Sequence, residues 1–263
     1  MSIFGLLFEW LGNPENWNGP DGVPSRMLEH IWYSFLSLAV ATLIALPIGL
    51  WVGHKGKGAM LMITIGNAAR AIPTLGLLTI MVLVAGIGIV APLVALVAIA
   101  IPPILVNCYQ GIRSVDPVLV DSARAMGLTE RQVLTNVEIP VALPLVILGL
   151  RTAALQVVST ASIAAYVGLG GLGRYVFDGL ATRDFQLVAA GAFLIAILAI
   201  STELIFSYGG RLFISKGVLK PKVTKSVSSP SAIQKEAVPA IKHDATTSSE
   251  TLTTQSLEKI TVP

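Results

Sequence analysis

Charged residues are scarce in this sequence. Only 13% of its 263 residues are Asp, Glu, Lys or Arg, against about 25% in an ordinary soluble domain. So few charges cannot cover a water-exposed surface, which argues against a soluble enzyme and against a disordered regulator. The one cysteine, Cys108, excludes an intrachain disulfide framework and a cysteine-based zinc site. The three scattered histidines, His30, His54 and His243, do not favour a histidine-based metal site.

Nucleic-acid binding and the common catalytic motifs are also not indicated. The net charge is +3, but the basic residues flank apolar runs instead of clustering with aromatic residues. The sequence contains no G-x-x-x-x-G-K-[ST], H-E-x-x-H or G-x-S-x-G. Residues 168–173 satisfy G-x-G-x-x-G, but they follow an apolar run and not a strand. A glycine turn that permits close packing is the better interpretation, and no cofactor is expected.

Apolar residues make up 54% of the chain and are concentrated in long stretches. A membrane-spanning helix needs roughly 20 predominantly apolar residues. The stretches that meet this requirement are residues 31–52, 59–84, 89–106, 141–167 and 187–213. The sequence therefore predicts an all-α, polytopic integral membrane protein with five transmembrane helices, whose transmembrane domain covers residues 29–215.

The two ends of the chain are predicted to lie outside the bilayer. The apolar stretch 1–11 is too short to span, so residues 1–28 are interpreted as an external or interfacial segment. The 43 residues 221–263 contain 14 Ser or Thr and no aromatic residue. Such a segment cannot bury enough apolar surface to offset chain entropy, and residues 216–263 are predicted to form a disordered cytoplasmic tail.

The distribution of Lys and Arg predicts the orientation. The loop after the first stretch carries Lys55 and Lys57 without an acidic residue, and the loop 107–140 carries three arginines. Residues 1–30 carry one arginine against four acidic residues. The positive-inside rule then places the N-terminus outside, the C-terminus in the cytoplasm and loop 107–140 in the cytoplasm.

Loop 107–140 contains strong signals for two short helices. Asp116 can cap a first helix that begins with Pro117, and Gly127 suits a left-handed end. Thr129 and Gln132 form a capping box for a second helix. Its continuation is expected to be blocked by Pro140. These helix-capping and helix-ending residues alone are as compatible with an amphipathic connector as with a docking element.

The spacing within this loop favours docking. Its order is Asp121-Ser122-Ala123, three residues, Gly127, nine residues, Val137, one residue and Ile139-Pro140. This resembles the EAA signature of permease subunits in bacterial ABC importers, Glu-Ala-Ala, three residues, Gly, nine residues, Ile, one residue and Leu-Pro. The spacing is preserved throughout, and the exchanges are conservative. Residues 107–140 are called the signature loop below.

The resemblance implies a type I importer permease fold and a set of partners. The signature loop would dock in a groove of an ATP-binding subunit, which would hydrolyse ATP because this chain has no nucleotide site. The implied assembly holds two ATP-binding subunits, a second permease copy (identical or related), an extracytoplasmic substrate-binding protein and the bilayer of the bacterial cytoplasmic (inner) membrane. The residues assigned to the ATPase-coupling loop are Asp121, Ser122, Ala123, Arg124, Met126, Gly127, Leu128, Val137, Ile139 and Pro140.

Further stretches resemble the subgroup for glycine betaine, choline and carnitine. They are RAIPTL at 70–75, AMGL at 125–128, GLRTA at 149–153 and GLGGLG at 168–173. Permeases for methionine and aliphatic sulfonates share parts of them, so these substrates stay open. Two alternatives come from other functional classes. Five spans without an evident repeat argue against an ion-coupled secondary transporter. The signature in loop 107–140 argues against a scaffold protein.

Three ionisable residues lie within the apolar stretches. Arg70, Arg151 and Glu203 would be costly in lipid, so they are expected to face protein or water. Arg151 and Glu203 can form a structural ion pair, or they can lie on the translocation path. Arg70 and Pro73 are further candidates for that path.

Overall fold

The computed structural model describes residues 3–71 and 73–213, and this part of the chain is helical without a strand. The predicted tail lies outside the described residues. The helices are α1 Ile3–Gly12, α2 Val23–Lys55, α3 Ala59–Ala71, α4 Thr74–Ala85, α5 Val90–Arg113, α6 Pro117–Ala125, α7 Glu130–Val133, α8 Ile139–Ala164, α9 Gly173–Thr182 and α10 Phe185–Phe213. A π-helical turn, Leu134–Glu138, joins α7 to α8. The all-α class is confirmed.

Four helical segments of the described part are long and apolar enough to cross a membrane. They are α2, α5, α10 and the segment Glu130–Val167, which contains α8. The second predicted stretch is divided into α3 and α4, of 13 and 12 residues. Pro73 stands immediately before α4 and cannot donate the backbone hydrogen bond that a continuous helix needs. Four of the five predicted stretches thus correspond to helices long enough to span, and the second corresponds to the two shorter helices α3 and α4.

A stripe of small residues brings α2 close to its neighbours. The buried positions of α2 between its first turns and its end repeat every three or four residues, which places them on one face. They are Ser34, Ser37, Ala41, Ala45, Gly49 and Gly53. A Cβ at Gly49 would lie 2.8 Å from the Cβ of Cys108, and one at Gly53 would lie 2.8 Å from the Cβ of Ile112. The backbones of α2 and α5 therefore approach more closely than any side chain at these positions allows.

Helix α5 packs equally closely on α8. A Cβ at Gly149 of α8 would lie 2.7 Å from the Cβ of Asn107 on α5. The main core lies between α2, α4, α5 and α8 and is filled by residues such as Leu78, Leu96 and Ile104. A second core joins α1, α9 and α10, where Trp10 meets Tyr175 with ring centroids 5.4 Å apart.

Candidate functional site

The first half of the signature loop has the predicted local structure. Asp116 Oδ1 accepts a hydrogen bond from the backbone N–H of Val118 at 2.9 Å, and α6 begins at Pro117. After α6 ends, Gly127 adopts φ +86°, the left-handed region that favours glycine. The Leu128 N–H then bonds back to the Ala123 carbonyl at 3.3 Å. The predicted cap and the predicted positive φ are both confirmed.

The predicted capping box at the start of α7 is also present. The backbone N–H of Gln132 bonds to Thr129 Oγ1 at 3.4 Å, and the backbone N–H of Thr129 bonds to Gln132 Oε1 at 2.9 Å. Two backbone donors that have no partner inside the helix are thereby satisfied. The turn at Gly127 and this box together fix how α7 leaves α6.

The prediction that Pro140 ends the second helix is wrong. Helix α7 passes through the π turn into α8, and Pro140 is the second residue of α8. In the π turn the Ile139 N–H bonds to the Leu134 carbonyl, five residues back. The wider turn changes the hydrogen-bond register just before the proline, so its missing donor falls at the start of α8, where proline is tolerated. The signature loop therefore runs without a break into a spanning helix.

Part of the signature serves the packing of the loop itself. Val115, Val120, Ala123 and Val133 form a small buried cluster, and the partly buried Leu128, Val137 and Val141 pack around it. Ala123 is 2% exposed, so α6 lies against α7 at this small residue. The side chains of Ala123, Leu128 and Val137 therefore hold the two short helices together.

The opposite side of the loop exposes apolar side chains. Val118 is 71% exposed, Leu119 46% and Met126 75%; these three residues are called the loop patch. A Cβ added at the neighbouring Gly127 would meet no atom of this chain within 4 Å. Asp121, Ser122, Arg124 and Pro140 are exposed as well, and Ile139 is partly buried. Exposed apolar side chains beside polar ones are typical of a surface that binds another protein.

A charged network crosses the loop, and sequence reasoning missed most of it. Arg124 Nε donates to Glu130 Oε1 at 3.0 Å, and Arg124 Nη1 donates to Asp121 Oδ1 at 3.3 Å. The hydrogen bonds to Glu130 are the main cause that raises the pKa of Arg124. On the other side of Glu130, His54 Nε2 lies 3.1 Å from Glu130 Oε2. Since His54 Nδ1 also lies 2.6 Å from Glu138 Oε2, the end of α2 is joined to the signature loop.

The structure brings two of the four predicted path residues together. Arg151 of α8 and Glu203 of α10 form a two-pronged ion pair, in which Arg151 Nε donates to Glu203 Oε2 at 2.7 Å. Their side chains are 37% and 31% exposed. Pro73 lies at the start of α4; Arg70 belongs to α3, and its side chain lies outside the described residues. The pairing favours a structural role for Arg151 and Glu203.

We expect single and double replacements of this pair to separate the two roles. Arg151→Met leaves Glu203 without its partner, so we expect less protein in the membrane; the cost is smaller than the roughly 3–5 kcal/mol of a fully buried pair. Adding Glu203→Leu removes both charges and should restore the amount of protein and the uptake. Immunoblots and uptake assays measure these quantities. A double variant that is abundant but transports nothing would instead place the pair on the path.

A polar cavity lies where α5 meets α8, at a place that sequence reasoning did not single out. Its volume is about 150 Å³. Asn107, Thr152 and Gln156 contribute the polar side chains, beside Pro102 and Pro103. Polar side chains within apolar helices usually face protein or water. Within the described residues, no group of three or more His, Cys, Asp or Glu side chains could hold a metal ion.

Comparison with known proteins supports one family. Residues 45–213 match the family described as binding-protein-dependent transport system inner membrane component. The chain is 35% identical over 189 residues to the carnitine transport permease protein OpuCD of Listeria monocytogenes, covering 70% of this chain and 85% of that one. It is 33% identical over 197 residues to the choline transport system permease protein OpuBB of Bacillus subtilis, covering 75% and 91%.

A solved structure agrees with the fold. The inward-facing MetNI methionine ABC transporter gives a TM-score of 0.63 at 24% identity, over 73% of this chain and 96% of that chain. Both sequence relatives exceed 30% identity over most of their length. The chain therefore belongs to the inner membrane components of binding-protein-dependent transport systems, the permease subunits of ABC importers.

Proposed function

We propose that this chain moves a quaternary ammonium osmoprotectant, such as glycine betaine, choline or carnitine, into the cell while a separate subunit hydrolyses ATP. The observation that carries the transport role is the signature loop, which keeps the family's spacing and exposes an apolar patch beside Gly127. The substrate class is supported by relatives named for carnitine and choline transport. Methionine and aliphatic sulfonates are the competing substrates, and an ion-coupled secondary transporter is the competing class.

In this proposal the loop patch docks on the ATP-binding subunit. Val118, Leu119 and Met126 supply apolar contact area, and Gly127 keeps the surface beside them free of a side chain. Asp121, Ser122 and Arg124 add polar contacts at the rim. Ala123, Leu128 and Val137 act from within, because they hold α6 and α7 in one arrangement. The unbroken path through Ile139 and Pro140 then carries displacement of the loop into α8.

The functional assembly contains two permease copies, two ATP-binding subunits and an extracytoplasmic binding protein. The substrate path runs between the permease copies and uses the polar cavity formed by Asn107, Thr152 and Gln156. Two arguments support this placement. Three polar side chains of otherwise apolar helices line one cavity, and the neighbouring prolines cannot donate the helical hydrogen bond. Arg70 and Pro73 stay predictions as residues of the path.

We expect cysteine labelling to place the N-terminal segment and the loop after α2 on opposite sides of the membrane. On a Cys108→Ala background, Lys55→Cys should be labelled by a membrane-impermeant maleimide only after the cells are permeabilised. Glu15→Cys should be labelled in intact cells, because residues 1–28 are proposed to be external. Labelling of position 55 in intact cells would contradict the proposed orientation, in which the C-terminus is cytoplasmic.

Uptake by reconstituted vesicles tests the proposed function. The chain is purified with its ATP-binding subunit and its binding protein, and vesicles receive radiolabelled choline, carnitine or glycine betaine. Uptake should require ATP inside the vesicles and should be unchanged by a protonophore. Unlabelled methionine should not reduce the uptake of the labelled substrate. Uptake that follows an ion gradient without ATP would support the secondary transporter. Competition by methionine but not by the three osmoprotectants would overturn the proposed substrate class.

A further inference from the structure

The imidazole of His54 lies between two carboxylates that belong to a different part of the chain. His54 is in the last turn of α2, whereas Glu138 ends the π turn and Glu130 begins α7. The distances are 2.6 Å from Nδ1 to Glu138 Oε2 and 3.1 Å from Nε2 to Glu130 Oε2. The side chains of His54 and Glu138 are only 7% and 6% exposed. These three residues are called the His54 clamp.

The hydrogen-bonding chemistry makes this contact strong and directional. His54 Nδ1 and Glu138 Oε2 are within hydrogen-bond distance. An ionised carboxylate only accepts hydrogen bonds, so the proton of this bond belongs to the ring nitrogen. A hydrogen bond to an ionised carboxylate is roughly twice as strong as one between neutral groups. Lys55, Arg113 near Gly56 and Arg124 on Glu130 are the other charged groups around the clamp.

The clamp joins elements that the chain itself does not connect. Along the sequence the signature loop includes the end of α5 and the start of α8 but no part of α2. Helix α2 packs on α5 through Gly49 and Gly53, but that contact is apolar and lies within the helices. The His54 clamp holds α2 to the loop itself, at 84 residues' separation along the chain. A displacement of the loop is therefore resisted by α2 unless α2 moves with it.

We propose that His54 is a positioning residue that ties the signature loop to α2, so that the ATP-binding subunit moves α2 together with α5 and α8. This inference rests on the proposed docking of the loop. It separates two tasks of the loop: the loop patch binds the ATP-binding subunit, and the His54 clamp on its other side passes the movement to a third spanning helix.

The test measures association and coupling separately in the complete reconstituted transporter. In His54→Leu, the amount of ATP-binding subunit bound should be unchanged, because the loop patch is intact. Substrate transported per ATP hydrolysed should fall about five- to tenfold, within the range for residues that carry coupling. Lys57→Leu is the matched control, since Lys57 is an exposed cation three residues further along; its ratio should equal that of the wild type. An unchanged ratio in His54→Leu would overturn the proposal.

A second variant covers the case in which His54→Leu does not fold. Removing His54 alone leaves Glu138 buried without its hydrogen-bond partner. His54→Leu with Glu138→Leu replaces the buried pair by apolar side chains, which is often neutral for stability. This double variant should be abundant and bind the ATP-binding subunit, yet transport poorly per ATP. Normal transport per ATP would show that the pair is merely structural. If the wild-type chain bound no ATP-binding subunit, the proposed function would fail instead, before the clamp is tested.

A distance measurement keeps the proposal testable with the clamp intact. Spin labels at Lys55→Cys and Thr135→Cys, both exposed positions, report the separation of α2 from the loop. The separation should stay the same in the ATP-free and ATP-bound states of the whole transporter, because the clamp makes both ends move together. A separation that changes between the two states would overturn the proposal.

Discussion

Gly127→Leu is expected to reduce association with the ATP-binding subunit about 5- to 30-fold and to remove most uptake, while the permease stays abundant in the membrane. Gly127 adopts φ +86°, where a side chain costs roughly 1–2 kcal/mol, and each kcal/mol is worth about a factor of five in binding. The variant loop can relieve this strain by leaving the left-handed region, which turns α7 away from α6. Docking must then restore the strained arrangement. Co-purification with the ATP-binding subunit and uptake per molecule of permease measure the effect.

Two controls separate docking from general damage. Gly19 has φ +85° and, like Gly127, no atom within 4 Å of an added Cβ, but it lies in the segment proposed to be external. Gly19→Leu should therefore carry the same local strain and leave association unchanged. Gly127→Asn should bind nearly normally, since asparagine tolerates the left-handed region. If Gly127→Leu transported as well as the wild type with its ATP-binding subunit bound, the signature loop would not be the coupling element.

Gly49→Leu is expected to remove most of the folded protein from the membrane. An added Cβ would lie 2.8 Å from the Cβ of Cys108 and 2.9 Å from the Leu105 carbonyl oxygen. The second contact is with backbone, so the clash can be relieved only by moving α2 away from α5. Overpacking of this kind costs about 1–3 kcal/mol or more, and here it opens the largest helix contact of the main core. Immunoblots of membranes and the thermal aggregation midpoint in detergent measure the loss.

Gly209→Leu is the matched control for this effect. Gly209 also lies inside a spanning helix, α10, and a Cβ there would meet no atom within 4 Å. Both variants place the same side chain in an apolar helix, so insertion into the membrane is affected equally. Gly209→Leu should be as abundant and as stable as the wild type. Equal abundance of the two variants would show that the close approach of α2 and α5 is not required for folding.

The features that the sequence predicted are those with a local cause. The apolar stretches depend only on the number of consecutive apolar residues, and four of them are spanning helices. The cap at Asp116, the capping box at Thr129 and the positive φ at Gly127 each depend on residues a few positions apart. The spacing of the signature was also readable, because it lies within one loop.

The features that the sequence did not predict depend on competition between local structures or on contacts between residues far apart in the sequence. Pro73 and Pro140 are both visible in the sequence, but only one of them ends a helix. Pro73 separates two helices, because α4 begins only after it. Before Pro140 the π turn shifts the hydrogen-bond register, so the missing N–H of the proline interrupts no helix. The choice depends on how the neighbouring turns pack, which a local pattern does not encode.

Of the two buried or half-buried pairs, the sequence pointed to one and not to the other. Arg151 and Glu203 attracted attention because each is a charge inside an apolar stretch, and the structure pairs them. His54 and Glu138 stand at the edges of their stretches, where charged residues are ordinary, so nothing in the sequence linked them. Only the packing of α2 against α5 and α8 brings these two side chains together.

Cysteine cross-linking at Met126 tests the central claim most directly. Met126 is 75% exposed in the loop patch, so Met126→Cys on a Cys108→Ala background can reach a bound partner without disturbing the fold. With a maleimide–benzophenone photo-cross-linker, which needs no cysteine on the partner, this variant should cross-link to the ATP-binding subunit. Trp17→Cys, which is exposed on the segment proposed to be external, should not. A cross-link from Trp17→Cys and none from Met126→Cys would contradict the docking of the signature loop on the ATP-binding subunit.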